Sequence, residues 1–155
     1  MAGFDKYLRT LLSRAETEAR QDGSATVEAQ HMLLAIAAEP DSPPGRVLAA
    51  AGLGHAAIRA ALHREFEHSL AAAGVSVSAF RVAPASPDPR RTPHPGASVQ
   101  LALDRGIKAA AGQDPQPAHL LLGILRAEVG TVPRALTLAG ADRGELIARV
   151  LGTLT

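Results

Sequence analysis

The chain carries the same order of helix signals twice, and this repetition restricts its fold more than any other feature of the sequence. His31-Met32-Leu33-Leu34-Ala35-Ile36 in the first half matches His119-Leu120-Leu121-Leu122-Gly123-Ile124 in the second. A glycine turn follows each string, at Ala51-Gly52-Leu53 and at Ala139-Gly140-Ala141. Each half contains a long helix, a helix opening with His-x-Leu-Leu, a short helix and a closing helix. The match over four elements indicates tandem duplication of a unit too small to bury its apolar faces alone.

The composition favours helices over strands for these elements. Of 155 residues, 46% are hydrophobic but only 3% are aromatic, and alanine, leucine and arginine predominate. These three residue types lose little side-chain entropy in a helix. We therefore predict an all-α fold, a pseudo-twofold tandem repeat of two four-helix units with about eight helices.

Helix boundaries follow from apolar periodicity and from turn residues. Thr26 and the pair Thr92-Pro93 are expected to start two of the helices, as are Gln116-Pro117 and Asp142. The predicted helices cover about residues 5–21, 26–39, 46–51 and 55–73 in the first half, and 92–112, 116–125, 132–138 and 142–151 in the second.

Residues 74–91 separate the two repeats. They contain several prolines and serines but no sustained apolar period, which is typical of an exposed, semi-stiff linker. We predict a single domain over residues 1–155, with repeat one at about 4–73 and repeat two at about 92–152. This length is typical of one domain.

Charge and cysteine content exclude several classes of protein. The absence of cysteine excludes a disulfide framework, a thiol nucleophile and a cysteine-ligated zinc. A net charge of +1 argues against a protein that holds nucleic acid through its phosphates. No apolar run reaches the ~18–20 residues that span a membrane, and the N-terminus lacks a signal-peptide core. We expect a cytoplasmic protein with no cofactor, no nucleic-acid partner and no membrane partner.

No motif for nucleotide hydrolysis or nucleophilic catalysis occurs. The sequence lacks Gly-x-x-x-x-Gly-Lys-Ser/Thr, the loop that cradles phosphates, and it lacks Gly-x-Ser-x-Gly. Glu65 and Glu67 flank Phe66, which belongs to a predicted apolar stripe at every fourth residue from Ile58 to Leu70. Both carboxylates are therefore expected on the solvent side of their helix. We predict that the protein is not an enzyme.

The histidines give no metal-ligand pattern. His63 and His68 lie five residues apart, which puts them on different sides of a helix and argues against a metal site. His31 and His119 occupy matching places in the two repeats. We expect both to pack in the structure or to hydrogen-bond within the first turn of their helices.

Taken together, these signals resemble a known family. They are Phe4, the two His-x-Leu-Leu helix starts, Thr92-Pro93 at the entry to the second repeat, and the turns at Gly52 and Gly140. Over about Phe4–Leu151 the chain resembles the N-terminal repeat domain of the Clp/heat-shock AAA+ unfoldases, most of all the ClpC branch. The resemblance implies a pseudo-twofold bundle of eight helices that docks substrates, adaptor proteins or degradation signals for an attached ATPase ring. Without a phosphate-cradling loop, the chain resembles this receptor module occurring on its own.

The resemblance implies two related ligand sites, each at a helix start with the pattern Gly-Thr-Glu-His. In the family, the acidic residue before the histidine grips the guanidinium group of phosphorylated arginine, and the free N–H groups of the helix start suit an anion. The matching positions here are Gln30 before His31 and Ala118 before His119. Since both carboxylates are missing, we predict weak phosphoarginine binding.

The resemblance also implies a docking surface for adaptors and cyclic-peptide antibiotics. In the family it is formed around an N-terminal phenylalanine and a second phenylalanine before the Thr-Pro pair. Phe4, followed by Asp5, keeps the first, while Arg91 stands before Thr92 in place of the second. We predict that a partner surface survives near Phe4.

Two functions stay open on these grounds. The first is a non-enzymatic protein-binding module, a monomer that binds degrons, adaptors or the Clp machinery and modulates Clp-dependent proteolysis. The second is sequestration of a cyclic-peptide antibiotic that targets ClpC. The first function predicts a protein or peptide partner, and the second predicts a cyclic-peptide natural product.

Overall fold

The computed structural model describes residues 2–74 and 92–154, which form eight helices and two short strands. The first half contains α1 (Ala2–Gln21), β1 (Thr26–Val27), α2 (Ala29–Ala37), α3 (Pro43–Ala50) and α4 (His55–Ala72). The second half contains β2 (His94–Pro95), α5 (Ala97–Ala109), α6 (Pro117–Leu125), α7 (Thr131–Leu138) and α8 (Arg143–Gly152). The prediction of an all-α fold is confirmed.

The two halves share one register along the chain. α2, α3 and α4 begin 88 residues before α6, α7 and α8, and α1, α2 and α3 end 88 residues before α5, α6 and α7. Contacts between the halves obey the same correspondence, in which α3 matches α7 and α4 matches α8. α4 packs on α7, and in the equivalent contact α8 touches α3. Two helices are longer than their counterparts. At an offset of 88 residues, α1 begins seven residues before the position that matches the start of α5, and α4 ends eight residues after the position that matches the end of α8. The two halves are therefore repeats with one extension each.

α2 and α6 form the centre of the bundle. In α2 every residue except Gln30 is buried, and in α6 every residue from Ala118 to Leu125 is buried. A helix that is apolar all round needs neighbours on every side. α1, α3 and α4 supply them for α2, while α5, α7 and α8 supply them for α6. The two His-x-Leu-Leu strings therefore mark the core of each half.

α5 and α6 lie closer together than an alanine at their contact would allow. A Cβ atom placed on Gly123 would lie 2.0 Å from the main-chain oxygen of Ala102 and 2.8 Å from the main-chain nitrogen of Gly106. Both atoms belong to the backbone of α5, so the backbones of the two helices are in direct contact. The matching position in α2 is Ala35, whose methyl group is buried.

The predicted start of the second repeat at Thr92-Pro93 is wrong. α5 begins at Ala97 with Gly96 as its N-cap, and the residues before it run extended as β2. Prolines at two alternate positions, the second being Pro95, explain this, because a residue that precedes proline is restricted to extended conformations. β2 pairs in parallel with β1 and so links the two halves.

The start of α3 also differs from the prediction. The helix begins at Pro43 rather than near Arg46, and Ser42 caps it with its side-chain oxygen. Prolines are tolerated there because the first N–H groups of a helix have no partner within the helix. The predicted starts at Gln116 and Asp142 are confirmed, and both residues are N-caps.

The predicted apolar stripe of α4 is wrong in its second half. Phe66 is 52% exposed, whereas Glu65, expected in solvent, is 6% exposed. A spacing of four residues drifts around a helix by about 40° at each step. The buried face therefore follows Ile58, Ala61 and Glu65 instead. Glu67 is exposed, as predicted.

The predicted linker lies almost entirely outside the described residues, which stop at Gly74 and resume at Thr92. Within these two ranges, no helix combines the length and the apolar character that a membrane span requires.

Candidate functional site

A cleft lies beside the first turns of α1, the part of that helix with no counterpart in α5. Phe4 is buried, and its ring centre lies 6.4 Å from that of Tyr7, with an angle of 37° between the ring planes. Tyr7 also faces a cavity of about 250 Å³. We call this cavity the α1 cleft, and it is lined by Gly3, Lys6, Tyr7, Thr10, Leu11 and Glu39.

The α1 cleft combines an apolar floor with charged edges. Leu11 is buried and Tyr7 is half-buried, while Lys6 is exposed. Glu39, which follows α2, forms an ion pair with Arg14. A concave apolar surface with a few polar groups at its edge suits an apolar side chain of a peptide.

Burial also changes the pKa of Tyr7 in the cleft. It raises the pKa of Tyr7 from 10.0 to about 12, against a smaller lowering effect of the Arg14 charge. The phenol therefore stays protonated far above neutral pH. The hydroxyl group of Tyr7, a residue that lines the cleft, therefore remains a hydrogen-bond donor.

We predict that the Tyr7 hydroxyl titrates with a midpoint near pH 12 in the folded protein. Because the pKa is higher in the folded chain, the free energy of unfolding is greater with the phenol protonated than with it ionised, by about 3 kcal/mol. That contribution is complete below pH 10 and is lost as the pH rises towards 12. Tyr7 is the only tyrosine and the chain has no tryptophan, so phenolate absorbance reports this group alone.

The control for this titration is the chain unfolded in guanidinium, where the midpoint should return to about pH 10. Circular dichroism recorded at each pH shows whether the helices persist. A folded protein whose Tyr7 also titrates near pH 10 would contradict the burial of the phenol.

At the start of α2, His31 is buried and held through both ring nitrogens. Nδ1 accepts a hydrogen bond from the Glu28 N–H (2.9 Å), and Nε2 donates to the Asp22 carboxylate (2.9 Å). His31 thus makes the predicted first-turn hydrogen bond. The predicted cap of this helix is wrong: Glu28 is the N-cap, because Thr26 is engaged in β1.

Groups of this chain already occupy the start of α2. Ser98 of α5 accepts a hydrogen bond from the Ala29 N–H (2.7 Å) and donates one to the Glu28 carboxylate (2.6 Å). An incoming anion would meet that negative charge and would lack the Ala29 donor. Gln30, half-buried and uncharged, stands before His31.

The start of α6 repeats this arrangement with fewer polar groups. Nδ1 of the buried His119 accepts a hydrogen bond from the Gln116 N–H (2.9 Å). Pro117 has no N–H, and Ala118 is buried. Neither helix start therefore places a carboxylate just before its histidine.

Two of the other predicted docking residues, Phe4 and Asp5, belong to the first turns of α1. Phe4 packs against Tyr7, whereas Asp5 is exposed and does not line the α1 cleft. Thr92 is exposed at the beginning of the second described range, and Arg91 lies outside the described residues.

Sequence reasoning missed Tyr7 and Glu39 as parts of the cleft. The spacing of Phe4 and Tyr7, close to one helical turn, was an available signal for the first. Glu39 had no such signal, because only the packing of α1 on α2 brings it to the cleft.

The described part of the chain holds no group of three histidine, aspartate or glutamate side chains placed to bind a metal ion. His63 instead pairs with Glu67 one turn later (3.0 Å). His31 and His119 make the capping hydrogen bonds described above.

The chain is thus an all-α tandem repeat with two capped helix starts and a cleft on its first helix. The family model of the Clp repeat (R) N-terminal domain matches residues 3–87, more than half of the chain. The chain belongs to this family, which confirms the resemblance noted in the sequence.

One solved structure with this fold is the N-terminal domain of the caseinolytic protease associated chaperone ClpD from Arabidopsis thaliana. It is 23% identical, covers 94% of this chain and 92% of its own, and superposes with a TM-score of 0.64. At that identity the likeness concerns the fold alone. A comparison with curated proteins found no match.

Proposed function

We propose that the protein is a non-enzymatic binding module that docks degrons, adaptor proteins or the Clp machinery in the cytoplasm and thereby modulates Clp-dependent proteolysis. The α1 cleft is the observation that carries this proposal. It combines an apolar floor with Tyr7 and the charged residue Lys6 in one concave surface beside the first turns of α1. Membership of the Clp repeat family supports a protein or peptide as the partner.

The size of the α1 cleft favours a peptide segment over a whole cyclic peptide. Its volume of about 250 Å³ lies below the roughly 300–1,000 Å³ typical of pockets that enclose a drug-sized ligand. One or two side chains fit that space. Sequestration of a ClpC-targeting cyclic peptide is the alternative function, and it requires the ligand to cover apolar surface outside the cleft.

Phe4→Ala is expected to weaken capture of a protein partner by about tenfold or more. The variant removes the buried ring that packs against Tyr7, so that Tyr7, which lines the α1 cleft, loses its support. Aromatic side chains that contact a partner, as Tyr7 would, carry much of the energy of an interface. The immobilised protein and its variant are compared for capture from an extract of the source organism. Calorimetry with each captured protein then gives the loss in affinity.

Phe66→Ala is the matched control for this experiment. It makes the same change on α4, where the ring is 52% exposed, and should leave capture unchanged. Circular dichroism establishes that both variants are folded. Equal capture by Phe4→Ala and the unmodified protein would contradict the proposal. Saturable binding of a cyclic peptide, seen in Tyr7 fluorescence without capture of any protein, would favour the alternative.

We expect binding of free phosphoarginine to be weak at both helix starts. A carboxylate holds a guanidinium group by charge-assisted, often forked hydrogen bonds. Gln30 can accept only a neutral bond and Ala118 none, so each site loses on the order of 1–3 kcal/mol, roughly five- to a hundredfold in affinity. The Glu28 carboxylate beside the start of α2 opposes the phosphate as well.

Calorimetry with free phosphoarginine tests this expectation. Gln30→Glu should strengthen binding, since Gln30 is half-buried and can accommodate the charge. Glu16→Gln, a change of side-chain charge on α1, serves as the control and should have no effect. Micromolar binding by the unmodified protein would contradict the prediction. No gain from Gln30→Glu would show that this position does not hold the guanidinium group.

A further inference from the structure

The closing helices of the two halves differ in length, and within the described residues the shorter one leaves part of α3 exposed. α4 has 18 residues and α8 has 10. The two helices start in register, so the last eight residues of α4 have no counterpart within α8. Glu65 is the first of these eight residues.

Glu65 shows what the extension of α4 does. Its side chain is 8% exposed, and its Oε1 accepts hydrogen bonds from Arg134 Nε on α7 (3.0 Å) and from Ser69 Oγ (2.6 Å). A buried carboxylate needs such partners, because leaving it unpaired would cost several kcal/mol. The extension of α4 thus places a carboxylate on the arginine of α7.

The first half contains the same arginine without that carboxylate. Arg46 stands 88 residues before Arg134, at the same place in α3. α3 touches α8 as α7 packs on α4, but the position matching Glu65 is Thr153, the C-cap of α8. Arg46 is exposed and forms no ion pair within residues 2–74 and 92–154.

We propose that α3 is a second docking surface and that it receives an amphipathic helix of a partner protein, with a carboxylate that pairs with Arg46. We call the surface the α3 face, formed by the exposed residues Pro43, Arg46, Ala49 and Ala50. The partner helix would continue where α8 stops and would lie on α3 as α4 lies on α7. The α3 face therefore has a template for its occupant within the same chain.

The chemistry of the α3 face supports an acidic helix with small side chains at its contact. Ala49 and Ala50 allow another helix to approach closely, whereas Leu138, the match of Ala50 on α7, is half-buried. A separate cavity of about 160 Å³ lies between Ala51, which follows α3, and the first turns of α8, and none of the four α3-face residues lines it. This surface is separate from the α1 cleft, so its role does not depend on what the cleft binds.

The first test supplies the missing helix within the chain. In an extended protein, residues 153–160 carry the sequence of the α4 extension, Glu-Phe-Glu-His-Ser-Leu-Ala-Ala. Tethering gives the added helix a high effective concentration at the α3 face. Arg46→Ala should then reduce the equilibrium constant for folding about five- to tenfold in the extended protein and leave it unchanged in the original chain. Urea denaturation measures both.

Arg126→Ala is the control, because Arg126 is also exposed but lies at the end of α6. It should be neutral in both proteins. Equal effects of Arg46→Ala with and without the extension would overturn the proposal. A second outcome would also overturn it. If Arg46→Ala destabilised the original chain as much as Arg134→Ala does, the α3 face would already be covered by the chain itself.

The second test uses a separate helix. A synthetic peptide with the sequence of residues 55–72 is added to the protein, and amide shifts are followed by nuclear magnetic resonance. Saturable changes at Arg46 and Ala50, weakened about threefold or more by Gln in place of Glu65 in the peptide, are expected. Changes confined to the α1 cleft, or concentration-dependent pairing of two protein copies through α3, would overturn the choice of occupant.

Discussion

Gly123→Ala is expected to lower the free energy of unfolding by about 3 kcal/mol, although alanine is the better helix former. In an open helix the same change would raise stability by about 1 kcal/mol. Here the new methyl carbon would lie 2.0 Å from the main-chain oxygen of Ala102 and 2.8 Å from the nitrogen of Gly106. Backbone atoms cannot rotate away as a side chain does. α5 must therefore move off α6 or lose a hydrogen bond of its own.

Urea denaturation followed by circular dichroism measures this loss. Gly3→Ala on α1 is the control, because a Cβ atom there has nothing within 4 Å. Its stability should stay the same or rise by up to about 1 kcal/mol, the gain in helix propensity. Ala35→Gly makes the reverse change at the matching position of α2 and should cost about 2 kcal/mol, roughly half through helix propensity and half through loss of the buried methyl group. If Gly123→Ala were as stable as the unmodified protein, the close contact of α5 and α6 would be disproved.

The helical core of this protein is predictable from its sequence, because a helix with apolar residues on every side is recognised from residues close together in the chain. The run from Met32 to Ile36 is apolar on every side, and a helix of that kind has to be enclosed. The same holds for the matching run in α6. Gly123 stood within this second run, but nothing local to it revealed that another backbone lies against it.

The surface features of α4 were not predictable by the same reasoning. Glu65 is charged, and a charged residue is rarely buried without a partner. Its partner, Arg134, lies 69 residues away and is brought to it only by the packing of α4 on α7. The sequence therefore assigned Glu65 to solvent and Phe66 to the core, the reverse of what the structure has.

Contacts between the halves account for the error at the start of α2 as well. Thr26 has the chemistry of an N-cap, yet pairing with β2 draws it into a strand. Ser98 then caps α2 from the other half of the chain, across a separation of 69 residues. Caps formed by nearby residues, such as Asp142 with the N–H of Glu145, were predictable because both groups lie within one turn.

The candidate site, too, was predictable only where its residues lie close together in the chain. The resemblance pointed to Phe4, and the aromatic pair with Tyr7 lies on one helix. The cavity beside that pair also needs Glu39, which reaches it from the end of α2. A sequence pattern can thus indicate which turn of α1 is used for docking, while the shape and charge of the cleft depend on a second helix.

Leu121→Ala and Leu33→Ala are each expected to lower the free energy of unfolding by about 2–5 kcal/mol. The side chains are 0% and 1% exposed, at the centres of α6 and α2. Truncation removes buried methyl groups and leaves a cavity that the rigid surroundings cannot fill. Leu101→Ala, at a position 52% exposed on α5, is the matched control and should change stability by less than about 0.5 kcal/mol. Urea denaturation measures the free energy of unfolding of the three variants, and the values are comparable where the slope against urea concentration is the same. A loss below about 1 kcal/mol for either central leucine would show that its helix is not enclosed, because removing a fully buried isobutyl group cannot then have left an unfilled space.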